Sequence, residues 1–471
     1  MNVLFVSAEV TPFSKAGGLA DVAGSLPAAL SPYVSSIQVI TPLYGQIDKE
    51  KHQIISAAIT GTIILGDETL PYSLFKIENV DNSFQTWFIQ SDQFFERNGL
   101  YTKSNGVGFE DNNLRYFFFQ LVVLDLLKKK YFEIDVLHCN DHHTGLLPVL
   151  VNNAGMTIRT IYTIHNFLYH GHFSQDEMKL LPLPIRSQLT KTQWDNYSAL
   201  LEGIDHADQV TTVSPGYARE LLDGLNLDEH SHKHVFAAES KLSGIINGID
   251  TEYWNPGKDK YTPFHFSAKD LDGKQLNKRE LLRQTDLDDD IEAPLLGSIS
   301  RLVENKGFPL IVELLDELVE MGAKLIFLGS GDPAIAQQLR EASLRHPGRI
   351  TFDDGFNEPL AHLIEAGSDM FLMPSRFEPC GLNQLYSLRY GTIPIVHHTG
   401  GLGDTVVDWN AGRGTGFVFR RYNVEHLKDA LKRSLKIFKD KRSWSELLKR
   451  AMAQDFSWDR SALNYFKLYK K

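Results

Sequence analysis

The sequence predicts an α/β protein made of two doubly wound domains, each built on a parallel sheet. Short apolar, β-branched segments recur along the chain and alternate with helical stretches. Such alternation is typical of parallel strands joined by crossover helices. The pattern stops in a polar, charged stretch at about 250–293 and then starts again. At 471 residues the chain is also too long for one hydrophobic core, so two or three domains are expected.

The order of the segments sets the predicted boundaries. The strands predicted for the first domain include 3–7, 37–41, 86–90, 135–139, 160–164 and 209–214. Those predicted for the second include 295–300, 324–329, 349–352, 369–374 and 393–397. We predict an N-terminal domain over 1–246, a C-terminal domain over 247–455 with a hinge at 247–293, and an amphipathic helix over 456–471.

The composition disfavours several classes of protein. The chain is 42% hydrophobic and 23% charged, and its longest apolar runs are too short to span a bilayer. The net charge of −11 argues against a nucleic-acid surface. The apolar run 3–6 follows Met1 almost at once, so we expect no signal peptide. Two cysteines, Cys139 and Cys380, suit a reducing compartment, and we expect a cytoplasmic protein.

Ligands of doubly wound sheets bind beyond the carboxyl ends of the strands. The polar residues that follow the apolar segments are therefore the candidate ligand-binding and catalytic residues. Lys15, Gly17 and Gly18 follow the first strand and precede a helix. Glycines let the backbone approach a ligand, and amides at a helix start favour anions. A plain strand-to-helix turn explains the stretch equally well, and these residues alone leave both interpretations open.

In the second domain, Arg301 ends one predicted strand and Lys306 precedes the next helix. Arg can grip a phosphate bidentately while Lys adds a point charge, although single cations are more often solvated surface groups. Glu378 follows the strand 369–374. It is a candidate ligand for hydroxyl groups, with the amides of Cys380 and Gly381 as candidates for phosphate. The alternative for Glu378 is a charge that complements a helix dipole.

Other polar residues end strands of the first domain. Asp141 follows 135–139, and His165 with Asn166 follows 160–164. The neighbouring histidines lack a zinc spacing and no HExxH motif is present, so we expect no metal site. Ser330 lies in the sequence GSGD, which is a weak indication of a nucleotide-binding turn. The first strand is not followed by GxGxxG, which disfavours a dinucleotide oxidoreductase.

Taken jointly, the motifs resemble one family. The chain is similar to the bacterial and plant starch and glycogen synthases, the ADP-glucose-type members of glycosyltransferase family 5. The motifs concerned are KAGGLADV, NGID…WNP, SRL…KG, AGSDMFLMPSRFEPCGLNQLY, YGTIPIV and TGGLGDTV. The resemblance implies the GT-B fold, in which two Rossmann-like domains face each other across a cleft. It also implies that the last helix crosses back onto the first domain.

The resemblance further implies an activity, transfer of glucose from ADP-glucose to the non-reducing end of an α-1,4-glucan such as glycogen, amylose or amylopectin. It implies no cofactor, no metal, and no nucleic-acid or membrane partner. The residues predicted to be catalytic are Lys15, Asp141, His165, Arg301, Lys306 and Glu378. Those predicted to bind the donor are Gly17, Gly18, Asp21, Asn166, Asn247, Ser330, Phe356, Cys380, Gly381, Leu382 and Asn383.

Four positions depart from the family's usual residues. His142 stands where the family usually has tryptophan, and Phe356 stands where it often has tyrosine. Asn383 replaces a common threonine or serine, and His398 replaces the usual arginine. These changes leave open a related transferase that uses UDP-glucose. A non-catalytic glucan-binding paralogue is the other alternative, and it is expected to lose one of the cationic or carboxylate positions, all of which are present here.

Overall fold

The computed structural model describes residues 1–78, 84–104, 106–409 and 413–471. The chain divides into two compact units. The N-terminal unit comprises Met1–Gly248 and Trp458–Lys471, and the C-terminal unit comprises Ile249–Ser457.

The N-terminal unit is built on a sheet of nine strands in its described residues. The strands of this unit are β1 (Asn2–Val6), β2 (Ser36–Pro42), β3 (Ile54–Leu65), β4 (Glu68–Ile77), β5 (Gln85–Gln90), β6 (Val136–Asn140), β7 (Arg159–Ile164), β8 (His172–Phe173), β9 (Tyr197–Ser198), β10 (Gln209–Thr212) and β11 (Leu242–Gly244). The sheet order is β11-β10-β7-β6-β1-β2-β5-β4-β3, and β8 pairs with β9 separately. The strands from β11 to β5 are parallel, while β4 and β3 continue the sheet as an antiparallel hairpin.

The described residues of this unit up to Gly248 also form eight α-helices. They are α1 (Gly18–Leu30), α2 (Asn112–Lys128), α3 (Leu147–Asn153), α4 (Gln175–Met178), α5 (Leu183–Arg186), α6 (Ala199–His206), α7 (Pro215–Leu222) and α8 (Glu229–Ala237). The central strand β1 is buried along Val3–Val6, as expected for a parallel strand covered on both faces.

The C-terminal unit has a parallel sheet of six strands within its described residues. Its strands are β12 (Leu295–Ile299), β13 (Lys324–Leu328), β14 (Ile350–Asp353), β15 (Met370–Met373), β16 (Ile393–His397) and β17 (Phe417–Phe419). Its helices are α9 (Asp272–Gln284), α10 (Phe308–Glu320), α11 (Pro333–Arg345), α12 (Glu358–Gly367), α13 (Asn383–Tyr390), α14 (Gly400–Thr405), α15 (Val424–Lys439) and α16 (Lys441–Met452). The order β14-β13-β12-β15-β16-β17 is the Rossmann order.

The last helix, α17 (Trp458–Tyr469), belongs to the N-terminal unit. It buries Trp458, Tyr465 and Tyr469 in the same core as Val3 and Phe5 of β1. The phenol oxygen of Tyr469 lies 2.7 Å from Nδ1 of His138, a residue of β6. The predicted fold class, including the return of this helix to the first domain, is confirmed.

The segment 250–293 is more than the polar linker that its composition suggested, because it contains α9. This helix buries Lys274 and Lys278. Because lysines are usually exposed, the sequence alone does not show which face of the helix points inward. Lys278 Nζ donates to Asp369 Oδ2 at 2.6 Å, and Lys274 Nζ donates to Thr392 Oγ1 at 2.7 Å. The hairpin β3–β4 and the short strands β11 and β17 were also not predicted.

Each sheet has a point where the strand order reverses, and crevices form there at the carboxyl ends of the strands. In the N-terminal unit the point lies between β1 and β6, and in the C-terminal unit between β12 and β15. The predicted site residues that follow these four strands are Lys15, Asp141, Arg301, Lys306 and Glu378.

Candidate active site

A partly buried ion pair lies at the reversal point of the C-terminal sheet. Lys306 Nζ donates to Glu378 Oε2 at 2.5 Å, and the side chains are 21% and 9% exposed. The hydroxyl of Ser375 donates to the same oxygen at 3.2 Å. Lys306 ends the turn after β12 and Glu378 lies in the elbow after β15, so the pair joins the two loops. The carboxylate is therefore held by a lysine, and the helix-dipole alternative does not describe its contacts.

Backbone contacts fix Lys306 beside the elbow. Gly307 has φ +85°, and a Cβ there would lie 2.1 Å from the carbonyl oxygen of Pro374. The N–H of Arg376 donates to the carbonyl of Asn305 at 2.8 Å. This close approach requires glycine at 307, directly after the lysine.

The elbow itself packs on α14, whose GGLGD sequence echoes the GGLAD of the first loop. A Cβ at Gly400 would lie 2.2 Å from the carbonyl oxygen of Glu378, and one at Gly401 would lie 2.3 Å from that of Cys380. The N–H of Gly401 donates to the carbonyl of Glu378 at 3.1 Å. These two glycines are therefore explained by packing against the elbow that carries Glu378.

The remaining elbow residues lead into α13. Cys380 is buried, and Gly381 has φ +74°. Leu382 is the residue before α13, and Asn383 begins that helix. Asn383 Nδ2 donates to the carbonyl of Ile299 at 2.6 Å, which ties the start of α13 to the end of β12.

Three more predicted site residues lie on neighbouring loops of this unit: Arg301, predicted to be catalytic, and Ser330 and Phe356, predicted to bind the donor. Arg301 follows β12 and is exposed. The carbonyl of Ser330, after β13, accepts the N–H of Leu302 at 2.9 Å, so these two loops are joined. Phe356 lies between β14 and α12, and 87% of its surface is exposed. An exposed ring at the carboxyl end of the sheet can stack on a planar ligand.

In the N-terminal unit, the loop that carries Lys15 is organised by Glu9, which sequence reasoning missed. Glu9 Oε2 accepts the N–H groups of Ala16 at 2.5 Å and Gly17 at 3.0 Å. Its Oε1 accepts the hydroxyl of Tyr101 at 2.9 Å. The Gly17 amide is thus already bonded within the protein, which does not fit its predicted contact with the donor. Glu9 stands three residues after β1, so the search after apolar segments could have found it.

Lys15 and Asp21 form an ion pair on this loop. Lys15 Nζ donates to Asp21 Oδ1 at 2.8 Å, and the lysine is more than half exposed. Asp21 lies in the first turn of α1, which begins at Gly18 with Gly17 as its N-cap. The amide of Gly18 therefore stands at a helix start, where N–H groups lack intrahelical acceptors.

A second buried carboxylate, Asp141, holds the loop after β7. Its Oδ1 accepts the N–H of His165 at 2.7 Å, and its backbone has φ +55°. Burial raises the pKa of Asp141 to about 7, while hydrogen bonds from the backbone of His165 and Asn166 oppose that rise. The side-chain oxygen of Asn166 accepts the N–H of Leu168 at 3.0 Å, which shapes the following turn.

The tautomer of His165 follows from its neighbour. Asn140 Nδ2 donates to the carbonyl of Val6 at 3.0 Å, so its Oδ1 faces His165 Nε2 at 2.9 Å. Nε2 must then carry the proton, and Nδ1 is left as the acceptor. Burial lowers the pKa of His165 to about 3, so the ring is neutral near pH 7. A neutral acceptor suits a sugar hydroxyl.

We expect Asp141→Asn to change how stability depends on pH. Because burial raises the folded-state pKa from about 3.9 to about 7, the folded protein binds more protons than the unfolded one between these values. Asp141 therefore contributes a loss of stability as pH rises through this window. The Tm of the variant, minus that of the wild type, should increase from pH 4 to pH 7 and then level off. A difference that is constant with pH would contradict the shift.

The histidines near Asp141 are not arranged as a metal site. His138 contacts Tyr469 and, at 2.7 Å, Thr163, and His142 and His143 pack against one another. Among the described residues, no three His, Cys, Asp or Glu side chains form a group that could hold a metal ion. Asn247 is buried near the end of the N-terminal unit, and its Oδ1 lacks a hydrogen-bond partner within the described part of the chain.

Comparison with known proteins decides the family. The family described as starch synthase catalytic domain matches residues 2–233, and that described as glycosyl transferases group 1 matches residues 282–450. Glycogen synthase from Anaeromyxobacter sp. (strain Fw109-5) is 41% identical over 100% of this chain and 99% of its own length. Glycogen synthase 1 from Methylococcus capsulatus is 39% identical over 100% and 96%.

The chain belongs to the glycogen synthase family. It is therefore an enzyme, a glucosyltransferase of glycogen or starch synthesis, as its motifs predicted. The catalytic domain of starch synthase IV from Arabidopsis thaliana, solved with ADP and acarbose, has a TM-score of 0.91 and 30% identity over 100% of this chain and 98% of that one. This glycogen synthase homologue has no helix, among its described residues, that is long and apolar enough to cross a bilayer.

Proposed function

We propose that the enzyme transfers glucose from ADP-glucose to the non-reducing end of an α-1,4-glucan and retains the anomeric configuration. The observation that carries this proposal is the Lys306–Glu378 pair at the reversal point of the C-terminal sheet. Departure of ADP leaves negative charge on a phosphate, and a positioned cation stabilises that charge as it develops. The relatives named glycogen synthase and the starch synthase solved with ADP and acarbose support this choice of donor and acceptor.

Each charged residue has a proposed part in this transfer. Lys306 and Arg301 bind the donor diphosphate, and Lys15 with the Gly18 amide adds to that binding. Glu378 accepts glucose hydroxyls and, through its pair, orients Lys306. The amides near Cys380 and Gly381 face phosphate, and Phe356 stacks on the adenine.

His165 and Asp141 are proposed to bind hydroxyls of the transferred glucose. His165 Nδ1 offers a lone pair that can accept a hydrogen bond. Asp141, because its pKa is raised to about 7, can hold a proton near neutral pH. Together they match the mixed donor and acceptor character of sugar hydroxyls.

Retention by double displacement needs a free carboxylate as nucleophile. Glu378 already accepts hydrogen bonds from Lys306 and Ser375. Asp141 accepts hydrogen bonds from backbone N–H groups, and its own pKa is raised. Neither fits that role. We propose instead that the departing phosphate removes the proton from the attacking hydroxyl on the same face of the sugar, so that charge neutralisation and positioning carry the catalysis.

The decisive experiment measures nucleotide release from ADP-glucose and from UDP-glucose, each with and without glycogen, in the presence of EDTA. We expect glycogen-dependent release of ADP, since Lys15, Arg301 and Lys306 supply the positive charge. Preferred release of UDP would reassign the donor. A requirement for Mg²⁺ would contradict the metal-independent mechanism, and glycogen binding without any nucleotide release would identify a non-catalytic paralogue.

A further inference from the structure

An exposed aromatic surface lies next to the Asp141 loop and has no part in the transfer described above. Large apolar side chains are concentrated in residues 166–198 of the N-terminal unit, where the exposed ones are Leu168, Tyr169, Leu183 and Trp194. Isolated exposed apolar groups are ordinary, whereas rings that contact one another in a patch open to solvent mark an interaction site. We call His170, His172 and Trp194 the aromatic platform.

The rings of the aromatic platform contact one another in sequence. The imidazoles of His170 and His172 are stacked, with centroids 4.7 Å apart and planes within 9°. The indole of Trp194 meets His172 edge-on, with centroids 6.0 Å apart. Trp194 is nevertheless 57% exposed. The three rings are therefore in continuous contact, and the Trp194 end of the series is open to solvent.

The loop that presents Trp194 is built by its own hydrogen bonds. The N–H of Thr192 donates to the carbonyl of Asn196 at 2.7 Å, and Asp195 between them has φ +59°. Gln193 Nε2 donates to Asp228 at 3.1 Å. On the other side, β8 and β9 pair His172 with Ser198. The position of the indole is therefore set by the fold.

The His170 ring of the aromatic platform is neutral near pH 7. Burial lowers the pKa of His170 to about 4, with a further contribution from His172. The nearby Lys191 is paired with Asp195 at 2.5 Å. Aromatic faces without net charge attract the C–H faces of a sugar ring, and they offer little to an anionic ligand.

The segment that carries the aromatic platform packs against the residue next to Asp141. His142 directly follows Asp141, and a Cβ at Gly171 would lie 2.6 Å from the His142 ring. The strand that carries His172 therefore rests on the residue next to Asp141. A chain of sugars bound at Asp141 has this surface beside it.

We propose that the aromatic platform binds sugar units of the acceptor glucan other than the one that reacts. This inference rests on the proposed function for the nature of the chain, an α-1,4-glucan. Trp194 is then a determinant of glucan affinity and takes no part in the chemical step.

The test compares Trp194→Ala with Phe236→Ala in the full-length enzyme. Phe236 lies on α8 of the same unit and is 59% exposed, so it matches Trp194 in exposure. We expect Trp194→Ala to raise KM for glycogen on the order of tenfold, while kcat and KM for ADP-glucose stay at the wild-type values. Trp194→Phe should recover most of the affinity, and Phe236→Ala should match the wild type.

Retardation of the enzyme in native gels that contain glycogen gives a readout that needs no turnover. Weaker retardation of Trp194→Ala supports the aromatic platform, even if the wild type releases no nucleotide and the proposed function fails. Equal retardation and equal KM overturn the aromatic platform, even if glucosyl transfer is confirmed. His172→Ala is a second variant at the same surface, and it should weaken retardation in the same direction.

Discussion

Lys306→Ala should lower kcat on the order of 10²-fold or more, because it removes the cation that is proposed to neutralise the departing phosphate. Lys306 is held 2.5 Å from Glu378, so its position is set before substrate binds. Such preorganised charge acts mainly in the transition state, and KM for the donor should change less than kcat. Steady-state kinetics with ADP-glucose and saturating glycogen measure both.

The matched control is Lys428→Ala. Lys428 is also a partly exposed lysine of the C-terminal unit, paired with Glu317 at 2.7 Å and 26% exposed. Both variants lose one ion pair, so their Tm values should fall, whereas kcat should fall only for Lys306→Ala. The companion variant Glu378→Gln tests the other half of the pair. An unchanged kcat in Lys306→Ala, or an equal loss in both lysine variants, would remove Lys306 from the mechanism.

Gly307→Ala should destabilise the C-terminal unit by about 3 kcal/mol or more. Two effects add at this position. The backbone has φ +85°, where a Cβ is strained by about 1–2 kcal/mol. That Cβ would also lie 2.1 Å from the carbonyl oxygen of Pro374, so the turn and the elbow must separate. Activity should fall as well, since the same movement displaces Lys306 from Glu378.

Gly322→Ala isolates the first effect. Gly322 lies just after the other end of α10 and has φ +91°, and a Cβ there would meet no atom within 4 Å among the described residues. We expect a loss of only about 1–2 kcal/mol there, with kcat unchanged. The comparison uses the Tm of both variants. Equal shifts would show that the contact with Pro374 contributes nothing.

The sequence predicted most of the architecture because parallel strands are buried on both faces. Runs such as 3–6 and 370–372 are apolar throughout and stand out from their surroundings. Asp141, His165 and Glu378 follow apolar runs of this kind. They were predicted as site residues because chain order alone places them near the carboxyl ends of strands.

Features that depend on long-range contacts could not be predicted in this way. The helix α9 buries Lys274 and Lys278 against partners about 90–120 residues away, and its sequence therefore looks like a solvated linker. The hydrogen bond between Glu9 and the amide of Gly17, eight residues away, was missed for a different reason. A glycine-rich loop indicates a close approach, but not whether a ligand or a side chain of the same protein makes it.

The placement of α17 has a consequence for biosynthesis. The residues of the C-terminal unit are contiguous from Ile249 to Ser457, while the N-terminal unit needs Trp458–Lys471 as well. A ribosome that has released the first 248 residues has therefore delivered a sheet whose β1 side still lacks its cover of Trp458, Tyr465 and Tyr469. Vectorial synthesis leaves this apolar surface open until the second unit has emerged, so the half that is made first is the half that is finished last.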